Sequence, residues 1–274
     1  MRLKSKSGNL KNRSMQKMTF IIFVLLFSKV LNIHAQTTYA VVIGVSDYQI
    51  LDFRTGDLRF ADDDAERFTA FLRSSAGGNV SSQNIIQLTN KNAGQANILL
   101  AMNIFQKASP QDRIIFYFSG HGLEKAFVPY DVRQGNYSSF LTHDEVKSKF
   151  KQSQAGTKIV IADACLSGSM RSKKLPFTTV KASSKNFGNT NVAMILSSRS
   201  TQTSAETAQV NGGIFTFFLI GGLNGYADIN QDKKVTIREL YKYIAPRVKK
   251  STPNGQAPVF AGKFSDDLIL SRLD

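Results

Sequence analysis

Two short stretches hold the residues with the most chemical reach, Ser119-Gly-His-Gly122 and Asp163-Ala-Cys-Leu-Ser-Gly168. Cys165 is the single cysteine of the chain, and His121 is one of three histidines. A thiol becomes a nucleophile when an imidazole holds it as thiolate or takes its proton during attack on a carbonyl, and the imidazole can then protonate the departing amine. Acyl transfer also needs N–H donors for the developing oxyanion. Gly122 has no side chain to block its backbone N–H, and the N–H of Cys165 is the second candidate donor. The plainer readings are a cysteine packed as a small hydrophobe and a histidine filling a glycine-flanked turn.

Which reading holds depends on whether the fold brings the two motifs together. Arg113-Ile-Ile-Phe-Tyr-Phe118 reads as a strand running into the first motif, and Lys158-Ile-Val-Ile-Ala162 as a strand running into the second. Groups that act on ligands in an open parallel sheet gather at the carboxyl ends of its strands, where the loops face one crevice. Neighbouring strands lie ~4.8 Å apart, so side chains leaving two such ends can meet. The residues between the two strands include Thr142-His-Asp-Glu145, a capping box that opens a helix, and are long enough for the right-handed crossover that parallel neighbours require.

The remaining elements fit the same plan. Tyr39–Val45, Asn84–Leu88 and Val192–Leu196 read as further strands, with Asp267–Leu270 as a last one. Ala61, Ala65, Phe68 and Leu72 recur at helical spacing, a helix is predicted from Gln95 to Ala108 ahead of Pro110, and apolar helices follow at Ile214–Leu223 and Thr236–Val248. Such alternation predicts one doubly wound α/β domain. Residues 167–190, rich in Ser, Thr, Lys and Asn, show no periodicity and read as a long polar loop directly after the cysteine.

Composition narrows the function classes. The 274 residues are 42% hydrophobic and 20% charged, an ordinary globular balance. One cysteine excludes an internal disulfide framework and a multi-thiolate zinc site. The net charge of +15 is concentrated at the start: residues 1–35 carry seven bases and no acid, leaving +8 for the rest. A basic lead, the apolar run Phe20–Phe27 and Ile33-His-Ala35 read as a cleaved secretory signal, which predicts an exported mature protein with no membrane span. No basic stripe is interleaved with aromatics and Gly44 stands alone after the first strand, so neither nucleic-acid nor nucleotide binding is expected.

Tyr117-Phe-Ser-Gly-His-Gly122 followed by Asp163-Ala-Cys-Leu-Ser-Gly168 resembles the caspase-like cysteine peptidases, in particular the bacterial metacaspases (orthocaspases). Val41-Val-Ile-Gly-Val-Ser-Asp-Tyr48, Leu58–Phe68, Leu196-Ser-Ser-Arg199 and Gly212-Gly-Ile-Phe-Thr216 extend the likeness to about Tyr39–Val248. The resemblance implies a caspase-like (caspase-hemoglobinase) α/β single domain over residues 36–274, with a mostly parallel central sheet flanked by helices. Residues 36–166 would correspond to the large subunit carrying the dyad, 167–190 to a basic linker loop, and 191–274 to the small subunit. It implies a Cys165–His121 dyad, and their separation of 44 residues compares with ~50 in caspases. The animal pattern Gln-Ala-Cys-Arg-Gly is not met, since Asp163 replaces Gln, which bears on substrate choice. A catalytically idle interaction module of the same fold and a clostripain- or gingipain-like peptidase are the alternatives.

By the same resemblance, Asp64, Asp163 and Ser119 line the pocket for the residue before the scissile bond (P1). Two carboxylates in a partly buried slot favour a cation, so protein or peptide substrates with basic P1 are expected, and the enzyme is expected to cut its own linker loop. Asp228, Asn230, Asp232 and Glu239 fall at EF-hand ligand positions 1, 3, 5 and 12, but Lys233 stands where the loop normally has glycine. Calcium is therefore a possible ligand there and not a required cofactor. Asp131 and Asp144 match the calcium-activating acids of metacaspases only in part. His143, inside a capping box, is expected to be solvated.

Overall fold

The computed structural model describes residues 36–50, 56–123, 125–133, 136–164, 192–197, 206–207, 211–252, 256–262 and 264–274. In chain order its strands are β1 (Thr38–Gly44), β2 (Ile85–Thr89), β3 (Arg113–Ser119), β4 (Gly122–Leu123), β5 (Ala126–Phe127), β6 (Leu141–Thr142), β7 (Thr157–Asp163), β8 (Val192–Leu196), β9 (Glu206–Thr207), β10 (Gly212–Gly213), β11 (Lys234–Thr236), β12 (Val259–Gly262) and β13 (Ile269–Arg272). The α-helices are α1 (Ala61–Arg73), α2 (Gln95–Ala101), α3 (His143–Gln152), α4 (Ile214–Gly221) and α5 (Ile237–Ser251).

The apolar runs of β1, β3, β7 and β8 are continuous because both faces of their sheet are covered. Side chains alternate between faces with period two. Val41, Ile43, Phe116, Phe118 and Val160 point to one side, where Ile98, Met102, Phe105, Val146 and Phe150 pack from α2, the turn after it and α3. Ala40, Val42, Ile115, Tyr117, Ile159 and Ile161 point to the other, against Phe68 and Leu72 of α1, Leu219 of α4 and Leu240, Ile244 and Val248 of α5. The central sheet has six strands in the order β12-β8-β7-β3-β1-β2, all parallel except β12. It is the expected α/β fold, mostly parallel and flanked by helices.

Three departures from the sequence-based expectations have physical causes. The last predicted strand, observed as β13, lies outside the central sheet and pairs antiparallel with β11. The place at the sheet edge is taken by β12, which no periodicity had marked, because the strand after Pro258 is only four residues long and its last is Gly262. The helix predicted to reach Ala108 ends at Ala101 and continues as a 3-10 helix over Met102–Lys107. Tighter winding is common at helix ends, and this segment buries Met102, Ile104 and Phe105.

His143 is a correction as well. The capping box of α3 forms as expected, with Thr142 Oγ1 accepting from Glu145 N and the Glu145 carboxylate accepting from Thr142 N. The imidazole, however, tilts against Phe127 at 4.9 Å between ring centroids, and its buried Nε2 has no hydrogen-bond partner among the described residues. Burial, reinforced by the Lys147 charge, lowers its pKa to about 4 against a weaker opposing pull from Asp144. A base whose folded pKa is depressed stays neutral in the fold while the unfolded chain takes up a proton. Stability is therefore lost as pH falls through the window from 6.5 to about 4, by up to ~3 kcal/mol. Urea unfolding at pH 7 and pH 4.5 should show this loss, and His143→Phe should flatten the difference.

Candidate active site

The register of the sheet sets the site. Ser119 at the end of β3 stands directly beside Asp163 at the end of β7, and Gly120 N–H donates to the Asp163 carbonyl at 3.2 Å. The strands that deliver the two motifs are thus adjacent and parallel. His121 begins the next turn, and Ala164, fully buried, continues β7 toward the cysteine. Cys165 itself, the 167–190 loop and Arg199 lie outside the described residues.

His121 is held from two sides. Its backbone N–H donates to the Tyr48 hydroxyl at 2.7 Å, and the two rings lie 5.1 Å apart at 31°. Its Nε2 meets the Gly56 carbonyl oxygen at 2.5 Å. A carbonyl can only accept, so this contact fixes the proton on Nε2 and leaves the Nδ1 lone pair as the basic position. Gly56 has φ +142, a backbone conformation that a side chain would strain, and this aims its carbonyl at the ring. Gly122, the candidate oxyanion donor, opens β4 and pairs with Phe127 in the small β4-β5-β6 sheet, partly exposed.

The segment that presents Gly56 is anchored by a backbone bond and by side chains. Leu58 N–H donates to the Ser46 carbonyl at 2.9 Å, closing the loop, and Tyr48 N–H donates to Asp57 Oδ1 at 3.1 Å. Asn90, at the end of β2, accepts from the N–H groups of Ser46 and Asp47 and donates to Asp62 Oδ2 at 2.9 Å. Asp62 Oδ1 in turn accepts from the Ser46 hydroxyl at 2.5 Å. Of the three acids opening α1, Asp62 therefore positions this loop in addition to facing the helix N-terminus. Asn90→Ala removes three of these bonds and the residue type that tolerates φ +46. It is expected to cost about 1–3 kcal/mol in urea unfolding and to distort the pH profile of turnover, through the loop that holds His121.

The expected pocket residues come together on one face. Period two sends Tyr117, Ser119, Ile161 and Asp163 toward α1 and α4. Asp64, 1% exposed, accepts from the Ser119 hydroxyl at 3.2 Å and from Gly213 N–H at 3.1 Å. Asp163, 0% exposed, accepts from Thr216 Oγ1 at 3.0 Å and from Thr216 N–H at 3.4 Å. Tyr117, 2.7 Å from Thr216 Oγ1, has its pKa raised well above the usual phenol value, first by burial and then by the charges of Asp64 and Asp163. Both buried carboxylates thus lie near enough to Tyr117 for their charges to act on its phenol. Thr216, Tyr117, Tyr48 and the Gly56 carbonyl were not singled out by sequence reasoning as parts of this site.

The acidic loop before α5 is closed by its own backbone. Asp228 accepts from the N–H groups of Asp232 and Lys233, Asn230 from Asp232, and Asp232 from Lys234. The Glu239 carboxylate is engaged by Thr236 N–H and Oγ1 in the capping box of α5. Lys233, at the position usually held by glycine, takes φ +62. Asp131 caps α2, accepting from Gln95 N–H at 2.9 Å, while Asp144 is exposed and paired with Lys147 at 2.8 Å. Among the described residues no group of three or more His, Cys, Asp or Glu is arranged to hold a metal ion.

Comparison with protein families gives one match that spans most of the chain. A peptidase-family model described as the caspase domain covers residues 37–269. Among solved structures, the crystal structure of protein GSU0716 from Geobacter sulfurreducens is similar at 19% identity and TM-score 0.58, over 87% of this chain and 100% of that one. That likeness is one of fold. Curated proteins give no significant match.

Proposed function

We propose, on the premise that the chain belongs to the caspase-domain family of cysteine peptidases, that it is an exported endopeptidase of the metacaspase type that cleaves after arginine or lysine. The observation that carries the catalytic reading is the placement of His121 at the end of β3, beside the strand that runs into Cys165, with Nε2 held by Gly56. In this reading Nδ1 takes the proton of the Cys165 thiol. The sulfur attacks the peptide carbonyl, and the N–H groups of Gly122 and Cys165 receive the oxyanion. As the C–N bond breaks, His121 returns the proton to the leaving amine. Water, activated by the same ring, then hydrolyses the thioester and restores the thiol.

Buried Asp64 and Asp163 beside Ser119 support basic P1 selection, since two carboxylates repel an acidic side chain and grip a guanidinium. The basic lead and apolar run of residues 1–35 support export. Arg171, Lys173, Lys174, Lys181 and Lys185 offer sites for self-cleavage in the 167–190 loop, which would separate a larger dyad-bearing piece from a smaller C-terminal one. Profiling on a peptide library tests the specificity: Arg or Lys at P1 is expected, and a preference for Asp would overturn it. An active enzyme whose chain stays intact would overturn only self-cleavage.

Turnover is expected to need no calcium, because the 228–239 side chains already serve their own backbone and the α5 cap. Chelation should leave the rate unchanged, and added calcium should at most modestly raise the unfolding temperature. Reversible loss of hydrolysis on chelation would contradict this.

A further inference from the structure

One of the two buried acids carries an ion-pair partner on its own helix. Arg67, one turn after Asp64 on α1, brings Nη1 to 3.6 Å from Asp64 Oδ1, and its side chain is 37% exposed while that of Asp64 is 1% exposed. The guanidinium thus reaches in from the solvent side to a carboxylate that is otherwise enclosed. Its Nη2 donates to the Asn211 carbonyl just before β10. A side chain at the following residue would displace this contact: a Cβ on Gly212 would lie 2.2 Å from Arg67 Nη1 and 2.7 Å from Asp64 Oδ1. Without a side chain at 212, the backbone can lie against the ion pair. Asp64 does not depend on Arg67 for its position, since Ser119 Oγ and Gly213 N–H also hold it.

We propose that Arg67 is a specificity-determining residue: an internal guanidinium that offsets the Asp64 charge and so tempers the pull of the slot on a basic P1 side chain. The proposal rests on the reading of Asp64 as a pocket acid for basic P1. A substrate guanidinium entering beside Asp64 meets a like charge already facing Oδ1, and removal of that charge leaves the carboxylate in place with one compensating charge fewer. The pair is partly solvated, so the effect is a few-fold. Its size should fall as salt rises.

The test compares kcat/KM for two peptides that differ only at P1, arginine against citrulline, a neutral side chain of nearly the same shape. Their ratio reports slot charge and cancels any general loosening of the hairpin. Arg67→Met, which keeps the stem and deletes the charge, is expected to raise the arginine-to-citrulline ratio about 3–5-fold through the KM of the arginine peptide. Arg67→Lys is expected to stay near the wild-type ratio. If Arg67→Met does not fold, Arg67→Gln makes the same comparison. A wild-type ratio near one would overturn basic P1 selection itself. A wild-type ratio well above one that neutral substitutions leave unchanged or lower would overturn the role of Arg67 alone.

Discussion

Cys165→Ala is expected to reduce peptide hydrolysis to the limit of detection, and His121→Ala to reduce it by about 10²–10⁴-fold, the contribution of a positioned acid–base group. The two differ because the thiol forms the covalent bond, whereas water can replace part of the work of the imidazole. Neither change should cost much stability. His121 sits beyond the end of β3, its ring against Tyr48 and the Gly56 carbonyl, outside the apolar layers that hold the sheet to its helices. Urea unfolding of both variants should stay within about 1 kcal/mol of the wild type. Substantial hydrolysis by either purified variant would remove the dyad assignment.

Asp163→Asn is expected to lower kcat/KM for an arginine peptide by about 10²-fold and to change that for a glutamine peptide far less. A charge-assisted hydrogen bond to a guanidinium is worth roughly 1.5–3 kcal/mol, and each 1.4 kcal/mol is tenfold. Asparagine suits the test better than alanine: it keeps a side-chain oxygen to accept from the Thr216 N–H and hydroxyl, of which the hydroxyl has a second partner in Tyr117 and the N–H would lose its side-chain acceptor in a fully buried place. Equal losses on the two peptides would mean that Asp163 serves packing and not P1 charge.

The parts of the fold that the sequence made legible are those written in side-chain type. Continuous Val, Ile and Phe runs marked β1, β3, β7 and β8, and the Ala61, Ala65, Phe68 and Leu72 stripe marked α1, because burial on both faces or on one stripe leaves that pattern. Ser119 and Asp163 were named through the family resemblance, each two residues before its motif centre, and the β3–β7 register sets them side by side. Backbone contributions were not legible. The Gly56 carbonyl that fixes the His121 proton comes from a loop whose residue types carry no such signal, and any residue has a carbonyl. The Arg67–Asp64 pair has ordinary i,i+3 helical spacing, but spacing could not foresee that the chain returns at Gly212, 145 residues after Arg67, to lie against it with no side chain. The acidic loop before α5 carried a spacing that served two uses, and in the structure its side chains serve turns and a helix cap.

The most direct measurement is covalent labelling with a peptidyl-arginine chloromethyl ketone, read by intact mass and peptide mapping. One reagent molecule requires both a reactive thiolate beside His121 and a slot that accepts arginine. The wild type is expected to take up one equivalent, mapped to Cys165, with slower uptake in His121→Ala and none in Cys165→Ala. Uptake by Cys165→Ala equal to that of the wild type, or an active wild type whose Cys165 stays unlabelled by this reagent while a peptidyl-aspartate analogue labels it, would contradict a Cys165–His121 peptidase selective for basic P1.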